Sequence, residues 1–221
     1  FGAFAEFVCV NEGMIVPKPS GISFEVVAGT PTGGYTGLQG LRKGLIAAGQ
    51  NVLIDGASGG VGTFAIQIAK AYGADVTAVC STRNVEIAHA LGASRVIDYR
   101  REDLASDAQR YDLVLAANAY RPLSEYRRVL TPNGAYVMTG GGGVQILQAM
   151  LLGAVISMTS SQRISNIMAV VKKNDLVILS ELLETGKIKP VIDRTVTLSG
   201  VPDAIRYLEE AHARGKVVVS V

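Results

Sequence analysis

Between Asn51 and Lys70 the chain reads "NVLIDGASGGVGTFAIQIAK", an apolar run, then a cluster of glycines, then a helical pattern. Val61, Phe64, Ala65, Ile68, Ala69 and Tyr72 recur with the helical period, which predicts a helix stopped by Gly73. Four glycines between Asp55 and Gly62 carry a large entropic cost on ordering, so something must be gained from close backbone approach there.

The same alternation continues downstream. "DVTAVC" (Asp75–Cys80), "RVIDY" (Arg95–Tyr99), "YDLVLAA" (Tyr111–Ala117) and "AYVMTG" (Ala135–Gly140) read as buried strands. Helices are predicted near Asn84–Leu91 and Leu123–Leu130, and "AVISMT" (Ala154–Thr159) reads as a sixth strand. Strands spaced about twenty residues apart with helices between them predict an α/β, doubly wound parallel sheet. Each crossover should be right-handed.

The ends read differently. "FGAFAEFVCV" is strand-like, and "PKPSGIS" leads into a helix over Gly33–Leu41. "VIDRTVTLSG" reads as strand and turn, "VPDAIRYLEEAHARG" as a helix, and "KVVVSV" as a closing strand. These segments are expected to share a lobe outside the central sheet. No initiator Met precedes Phe1, so the expectation is a piece of a longer protein.

Composition narrows the classes. With 48% hydrophobic and 18% charged residues the chain should fold around one sizeable core. A net charge of +2, with no Lys/Arg run longer than two, argues against a nucleic-acid surface. The apolar stretch Val144–Met158 is interrupted by Gln145, Gln148 and Gly153 and is too short to span a bilayer. Cys9 and Cys80 make neither a metal spacing nor a disulfide framework, which predicts a reducing, cytoplasmic setting.

Ala57, Gly59 and Gly62 fit the dinucleotide-binding pattern G-x-G-x-x-G with alanine first, between a strand and a helix as the pattern requires. Free N–H groups near Gly60 to Gly62, with the helix dipole behind them, would seat an anion. The bland alternative is a tight turn with no ligand. At the end of the second strand an NAD site would place an acid; here stand Cys80, Ser81, Thr82 and Arg83, with Asp75 at the wrong end and Glu86 in the next helix. Two hydroxyls and a guanidinium suit a 2′-phosphate, so NADPH is expected, unless Arg83 is a solvated first-turn residue. His89, and His212 with Arg214 and Lys216 at a helix C-terminus, read as structural.

"GAFAEFVCVNEGMIVPKPSGISFEVVAGTPTGGYTGLQGL", "ASGGVGTFAIQIAKAYGADVTAVCSTRN", "LGASRVIDYR", "RRVLTPNGAYVMTGGG" and "HARGKVVVSV" together resemble the medium-chain dehydrogenase/reductase superfamily, in its zinc-independent, quinone-oxidoreductase-like branch. The resemblance implies a Rossmann domain (residues 23–186) inserted into a GroES-like catalytic domain, of which 1–22 and 187–221 would be the remnant. It also implies a homodimer, and hydride transfer from NADPH to a quinone, enone or other activated carbonyl compound.

By position, Ser58, Gly59, Gly60 and Val61 would meet the pyrophosphate, and Ser81 and Arg83 the 2′-phosphate. Tyr99 would lie near the adenosine phosphate, Asn118 near a ribose, and Gly140, Gly141 and Gly142 against the nicotinamide end, with Thr36 lining that pocket. Each has an ordinary alternative: packing for Tyr99, a turn cap for Asn118, a flexible loop for the glycines, a plain helix position for Thr36. Two other readings stay open. One is a non-catalytic NADPH-binding, redox-sensing module. The other is a zinc-dependent alcohol dehydrogenase with its ligands in the missing part.

Overall fold

The computed structural model describes residues 4–210 and 213–221. Two helices come first, α1 (Phe24–Gly29), capped by the Ser23 hydroxyl, and α2 (Pro31–Lys43), with proline in its first turn. The repeating part follows as β1 (Asn51–Asp55), α3 (Gly62–Ala71), β2 (Asp75–Cys80), α4 (Val85–Ala90) and β3 (Arg95–Asp98). Then come β4 (Tyr111–Ala116), α5 (Leu123–Val129), β5 (Leu130–Met138), α6 (Gly143–Thr159) and β6 (Arg163–Asn166). The last elements are α7 (Lys173–Glu184), β7 (Ile192–Thr197), α8 (Val201–Glu209) and β8 (Lys216–Ser220).

β1 to β6 form one parallel sheet in the order β3-β2-β1-β4-β5-β6, a Rossmann-like, doubly wound arrangement. The direction of winding reverses between β1 and β4, where Val52 to Asp55 pair with Leu113 to Ala116. Loops leaving the carboxyl ends of β1 and β4 therefore diverge to opposite faces and open a crevice between them.

Alternation along each strand feeds two cores. Val52, Ile54, Val76, Leu113, Leu115 and Val137 point to one face, against Leu38, Leu41, Phe64 and Ile68 of α2 and α3 and Leu179 of α7. Leu53, Val79, Val114 and Tyr136 point to the other, against Leu123, Tyr126 and Val129 of α5. Both faces are covered, which is why the strands read as continuous apolar runs. Truncating a fully buried Ile54 or Phe64 to alanine would cost about 2–5 kcal/mol.

β7 and β8 form a separate two-stranded parallel sheet that touches α1. Gly215, just before β8, also ties it to the turn after β1, its N–H donating to the Ser58 carbonyl at 3.0 Å. Gly215 has φ +84°, and a Cβ there would lie 2.2 Å from the Val191 carbonyl oxygen, so only glycine fits.

Three expectations are corrected. Ala154–Thr159 is the last part of α6, not a strand; the sixth strand is β6. Apolar residues throughout the 17-residue run hide any period, and that length suits a helix, not a strand. The opening segment is not a strand over its described residues: Phe4, Phe7, Val8 and Val10 are exposed, and no described strand pairs with their backbone. Arg214 and Lys216 do not end a helix, because α8 stops at Glu209 and Gly215 turns the chain into β8. His212 lies outside the described residues. No described helix is long and apolar enough to cross a membrane.

Candidate nucleotide site

β1 delivers the chain into the glycine turn at the crevice. Gly56 has φ +75°, and a Cβ there would lie 2.7 Å from the Asn118 Cβ, so the turn and the loop after β4 touch. The Ala57 N–H ties the turn to Val79 of β2 (3.1 Å), and the Gly59 N–H closes it on the Gly56 carbonyl (3.1 Å). Gly62 must be small for the same reason: its Cβ would meet the Gly56 oxygen at 2.2 Å.

The N–H groups of Gly60, Val61 and Gly62 find no acceptor among the described residues, and no side chain caps α3. Gly59 differs from its neighbours. A Cβ there would meet only the Gly56 oxygen, at 3.5 Å, so no contact among the described residues requires glycine at that point. Next to it in the chain stand unpaired donors at a helix N-terminus, an arrangement that suits an anion.

A cleft of about 900 Å³ runs from this turn along the carboxyl ends of β2, β3 and β4. Of the candidate residues it gathers Ser58, Ser81, Thr82, Arg83, Tyr99 and Asn118. Thr36 is outside it, buried, with its hydroxyl donated to the Thr32 carbonyl at 2.7 Å. Gly59, Gly60, Val61 and Gly62 of the turn, and Gly140 to Gly142, do not line it either. A Cβ on Gly140 would lie 2.7 Å from the Ala117 oxygen and one on Gly141 2.4 Å from the Ala119 oxygen, so these glycines serve a close pass beside the β4 loop.

Sequence reasoning missed Asp55, Asn84, Arg100, Tyr120 and Arg121, which also line the cleft. Arg100 and Arg121 follow the third and fourth strands, and the loops at strand carboxyl ends in such a sheet are the available signal.

The polar groups at the end of β2 are already partly engaged. The Thr82 hydroxyl donates to Oδ2 of Asp98 at 2.6 Å and is not turned to a ligand. Asp98 pairs in register with Cys80, so an acid does stand beside this strand end, contrary to expectation. The Thr82 hydrogen bond, the Arg100 N–H and the Arg101 guanidinium hold that carboxyl below its ordinary range. Asn84 donates to the Ser81 oxygen at 3.0 Å, which leaves the Ser81 proton for the cleft. The Asn84 Oδ1 is buried with no partner among the described residues.

Asp55 is buried, and burial raises its pKa against the opposing effects of Tyr126, Arg121 and the Gly56 N–H. Burial and the nearby Asp98 push the Cys80 thiol up to about 11, so it is a neutral wall residue and not a nucleophile. Arg83, Arg100 and Arg121 line a cleft whose one lining carboxyl, Asp55, has its charge disfavoured by burial, with Arg121 also paired to Glu125 at 3.1 Å and Asp103 at 3.4 Å. Such a lining attracts polyanions. Among the described residues no three His, Cys, Asp or Glu side chains stand together as metal ligands. His89 points its Nδ1 at the Ala93 carbonyl (3.0 Å), a packing role.

The family model for zinc-binding dehydrogenases matches residues 91–219. A chloroplastic quinone oxidoreductase of Triphysaria versicolor is 34% identical over 230 residues, covering 99% of this chain and 68% of that protein. A chloroplastic NADPH-dependent alkenal/one oxidoreductase of Arabidopsis thaliana is 35% identical over 223 residues, covering 99% of this chain but only 53% of that protein. Among solved structures, the quinone oxidoreductase from Coxiella burnetii superposes with a TM-score of 0.82 at 30% identity, over 93% of this chain and 63% of its own. An NAD-dependent alcohol dehydrogenase gives a TM-score of 0.85 at 28% identity, over 100% of this chain and 65% of its own. The chain spans between about half and two thirds of these proteins.

Proposed function

Because this chain belongs to the zinc-binding dehydrogenase family of the medium-chain dehydrogenase/reductase superfamily, in the quinone-oxidoreductase-like branch, we propose that it is the NADPH-binding part of an oxidoreductase. Its substrate class is a quinone, enone or other activated carbonyl compound, in keeping with the names of its relatives. The nicotinamide supplies the hydride, and the protein's work is to bind and aim it. Residues 1–22 and 187–221 belong on this reading to the catalytic domain, residues 23–186 to the nucleotide domain, and the whole protein is a homodimer in a reducing, cytoplasmic setting.

The observation that carries the reading is Gly59. It is a glycine that no contact among the described residues requires, set before three unpaired N–H groups in the turn whose Gly56 and Ser58 line the cleft. The bridging diphosphate would rest on the N–H groups of Gly60 to Gly62. Ser81, Arg83 and Arg100 would receive the 2′-phosphate, and Tyr99 and Asn118 would flank the adenosine half. Asp98 opposes a 2′-phosphate, but its charge is shared among Thr82, Arg100 and Arg101. With Arg83 and Arg100 on the other side, the balance favours NADPH over NADH.

Titration of the chain with NADPH and NADH, followed by nicotinamide fluorescence, tests this. NADPH should bind tighter, and Arg83→Gln should erase about tenfold or more of the difference. Equal affinities would defeat the choice of cofactor; no binding of either would defeat the site. Turnover of a quinone and enone panel by the full-length protein tests the substrate class.

A further inference from the structure

Gln39, in the second half of α2, is bound to a residue 131 positions further on. Its Nε2 donates to the Val170 carbonyl at 2.7 Å and its Oε1 accepts the Val170 N–H at 3.2 Å. One side-chain amide thus pairs with both backbone groups of a single residue. The same Nε2 donates to Oδ2 of Asp175, in the first turn of α7, at 2.6 Å. Arg42, one turn beyond Gln39, holds the other oxygen of that buried carboxylate at 2.8 Å. Gly40 lets α2 come close enough for this. A Cβ there would lie 2.6 Å from Leu115 Cδ1, 2.8 Å from Thr139 Cγ2 and 3.8 Å from Ile167 Cδ1.

The clamp holds the stretch from Ile167 to Lys172, between β6 and α7, which is neither helix nor strand. Its other fixed point is the Ile167 N–H, donated to the Met138 carbonyl of β5 at 3.0 Å. Between the two anchors the backbone of Met168 and Ala169 makes no hydrogen bond among the described residues. Met168 is 90% exposed and Val170 52%. An unbranched thioether raised from a pinned backbone is an adaptable apolar contact.

The sheet places this stretch. It leaves the carboxyl end of β6, on the same edge as the glycine turn, and ligands of such sheets lie across that edge. A dinucleotide whose adenosine half fills the cleft over β2 and β3 extends toward β5 and β6, at about 4.8 Å per strand. An acceptor laid against its far end meets the segment from Ile167 to Lys172.

We propose that Gln39 is a positioning residue for the hydride acceptor, and that Met168, which it holds in place, is the apolar wall that selects the acceptor's ring system. This rests on the oxidoreductase reading above and names within it the side chain that sets specificity.

The full-length protein, its Met168→Ala and Gln39→Leu variants and the double variant test this. The probes are duroquinone, with one ring, and dimethylnaphthoquinone, with two, neither of which adds thiols. Calorimetry on protein loaded with NADP+, which cannot reduce a quinone, reads binding, and turnover with NADPH reads KM and kcat separately. Met168→Ala should weaken dimethylnaphthoquinone about tenfold and duroquinone less than about threefold, with KM moving and kcat level. Gln39→Leu should do the same, and the double variant should lose no more than either single one, because both act through one side chain. NADPH affinity should stay within about twofold of wild type throughout. Hydrogen exchange at the Val170 amide should quicken in Gln39→Leu and stay level in Met168→Ala. Gln39→Asn, too short to reach both groups of Val170, gives the same reading should the leucine variant fail to fold. A lower Tm with the preference between the two quinones unchanged overturns the positioning role of Gln39. Equal losses for the two quinones, or losses that add in the double variant, overturn the proposal as a whole. A wild-type protein that binds NADPH but neither binds nor reduces any quinone or enone overturns the oxidoreductase reading, and the proposal with it.

Discussion

Tyr126 donates its phenolic proton to Oδ2 of Asp55 at 2.5 Å, with both groups buried. The contact follows from strand geometry. Asp55 ends β1 on the face that carries Leu53, and that face packs on α5, which brings Tyr126 and the adjoining Tyr136. A carboxyl thus sits directly beneath the glycine turn, its second oxygen accepting the Gly56 N–H at 2.9 Å. Burial raises the carboxyl pKa and the phenol pKa alike, so the site disfavours negative charge on either group next to where an anion would bind.

Stability should carry the mark of that carboxyl. The folded state holds the Asp55 proton to higher pH than the unfolded chain, where an aspartate titrates at its ordinary value of about 3.9. Between those two values the folded state binds more protons, so this group's contribution falls as pH rises through the window and is flat above it. Asp55→Asn should remove that slope and raise stability at neutral pH. Tyr126→Phe should lower it by about 1–3 kcal/mol, because a buried acceptor loses its donor. Urea unfolding across a pH series checks both. A difference between wild type and Asp55→Asn that does not change with pH would show that Asp55 titrates normally.

Gly59 and Gly62 should part company. Gly62→Ala forces a methyl within 2.2 Å of the Gly56 oxygen and 2.6 Å of the Ala57 Cα, contacts to backbone that cannot swing away. We expect a loss of about 1–3 kcal/mol. Gly59→Ala meets only one atom at 3.5 Å and should leave stability within about 1 kcal/mol of wild type. It should nonetheless weaken NADPH binding about tenfold or more, since the methyl takes up space beside the free N–H groups. Thermal unfolding and NADPH titration of the two variants decide it, and a Gly59→Ala protein with full affinity would empty that space of meaning.

The central sheet was legible because its strands are buried on both faces. Asn51–Asp55 and Asp75–Cys80 appear as apolar runs bounded by polar residues, and both match the observed strands residue for residue. The α3 stripe was equally plain. α6 was misread in part because an all-round apolar helix shows no period. Asp98 escaped because its partner Thr82 is 16 residues away, and only parallel pairing of β2 with β3 sets Cys80 beside Asp98. Arg121 escaped for the same reason: contact between distant segments leaves no local trace. The turn, by contrast, is built within a few residues, so its pattern could be seen before its geometry.

Asp98 should act as a brake on 2′-phosphate affinity. Its carboxylate is ionised, held so chiefly by the Thr82 hydroxyl, and it lies next to the strand end that carries Ser81 and Thr82. Because its folded pKa is depressed, its stabilising contribution is present above the unfolded value and is lost as pH falls through the folded one. Asp98→Asn keeps an acceptor for Thr82 while removing the negative charge. NADPH affinity should then rise by about fivefold, because one repulsive charge beside the 2′-phosphate is removed. NADH, which lacks the extra phosphate, should gain far less, and the gain for NADPH should shrink at high salt. Calorimetry of both nucleotides at two ionic strengths reads all three effects. Equal gains for NADH and NADPH would show that Asp98 acts through the shape of the cleft and not through its charge.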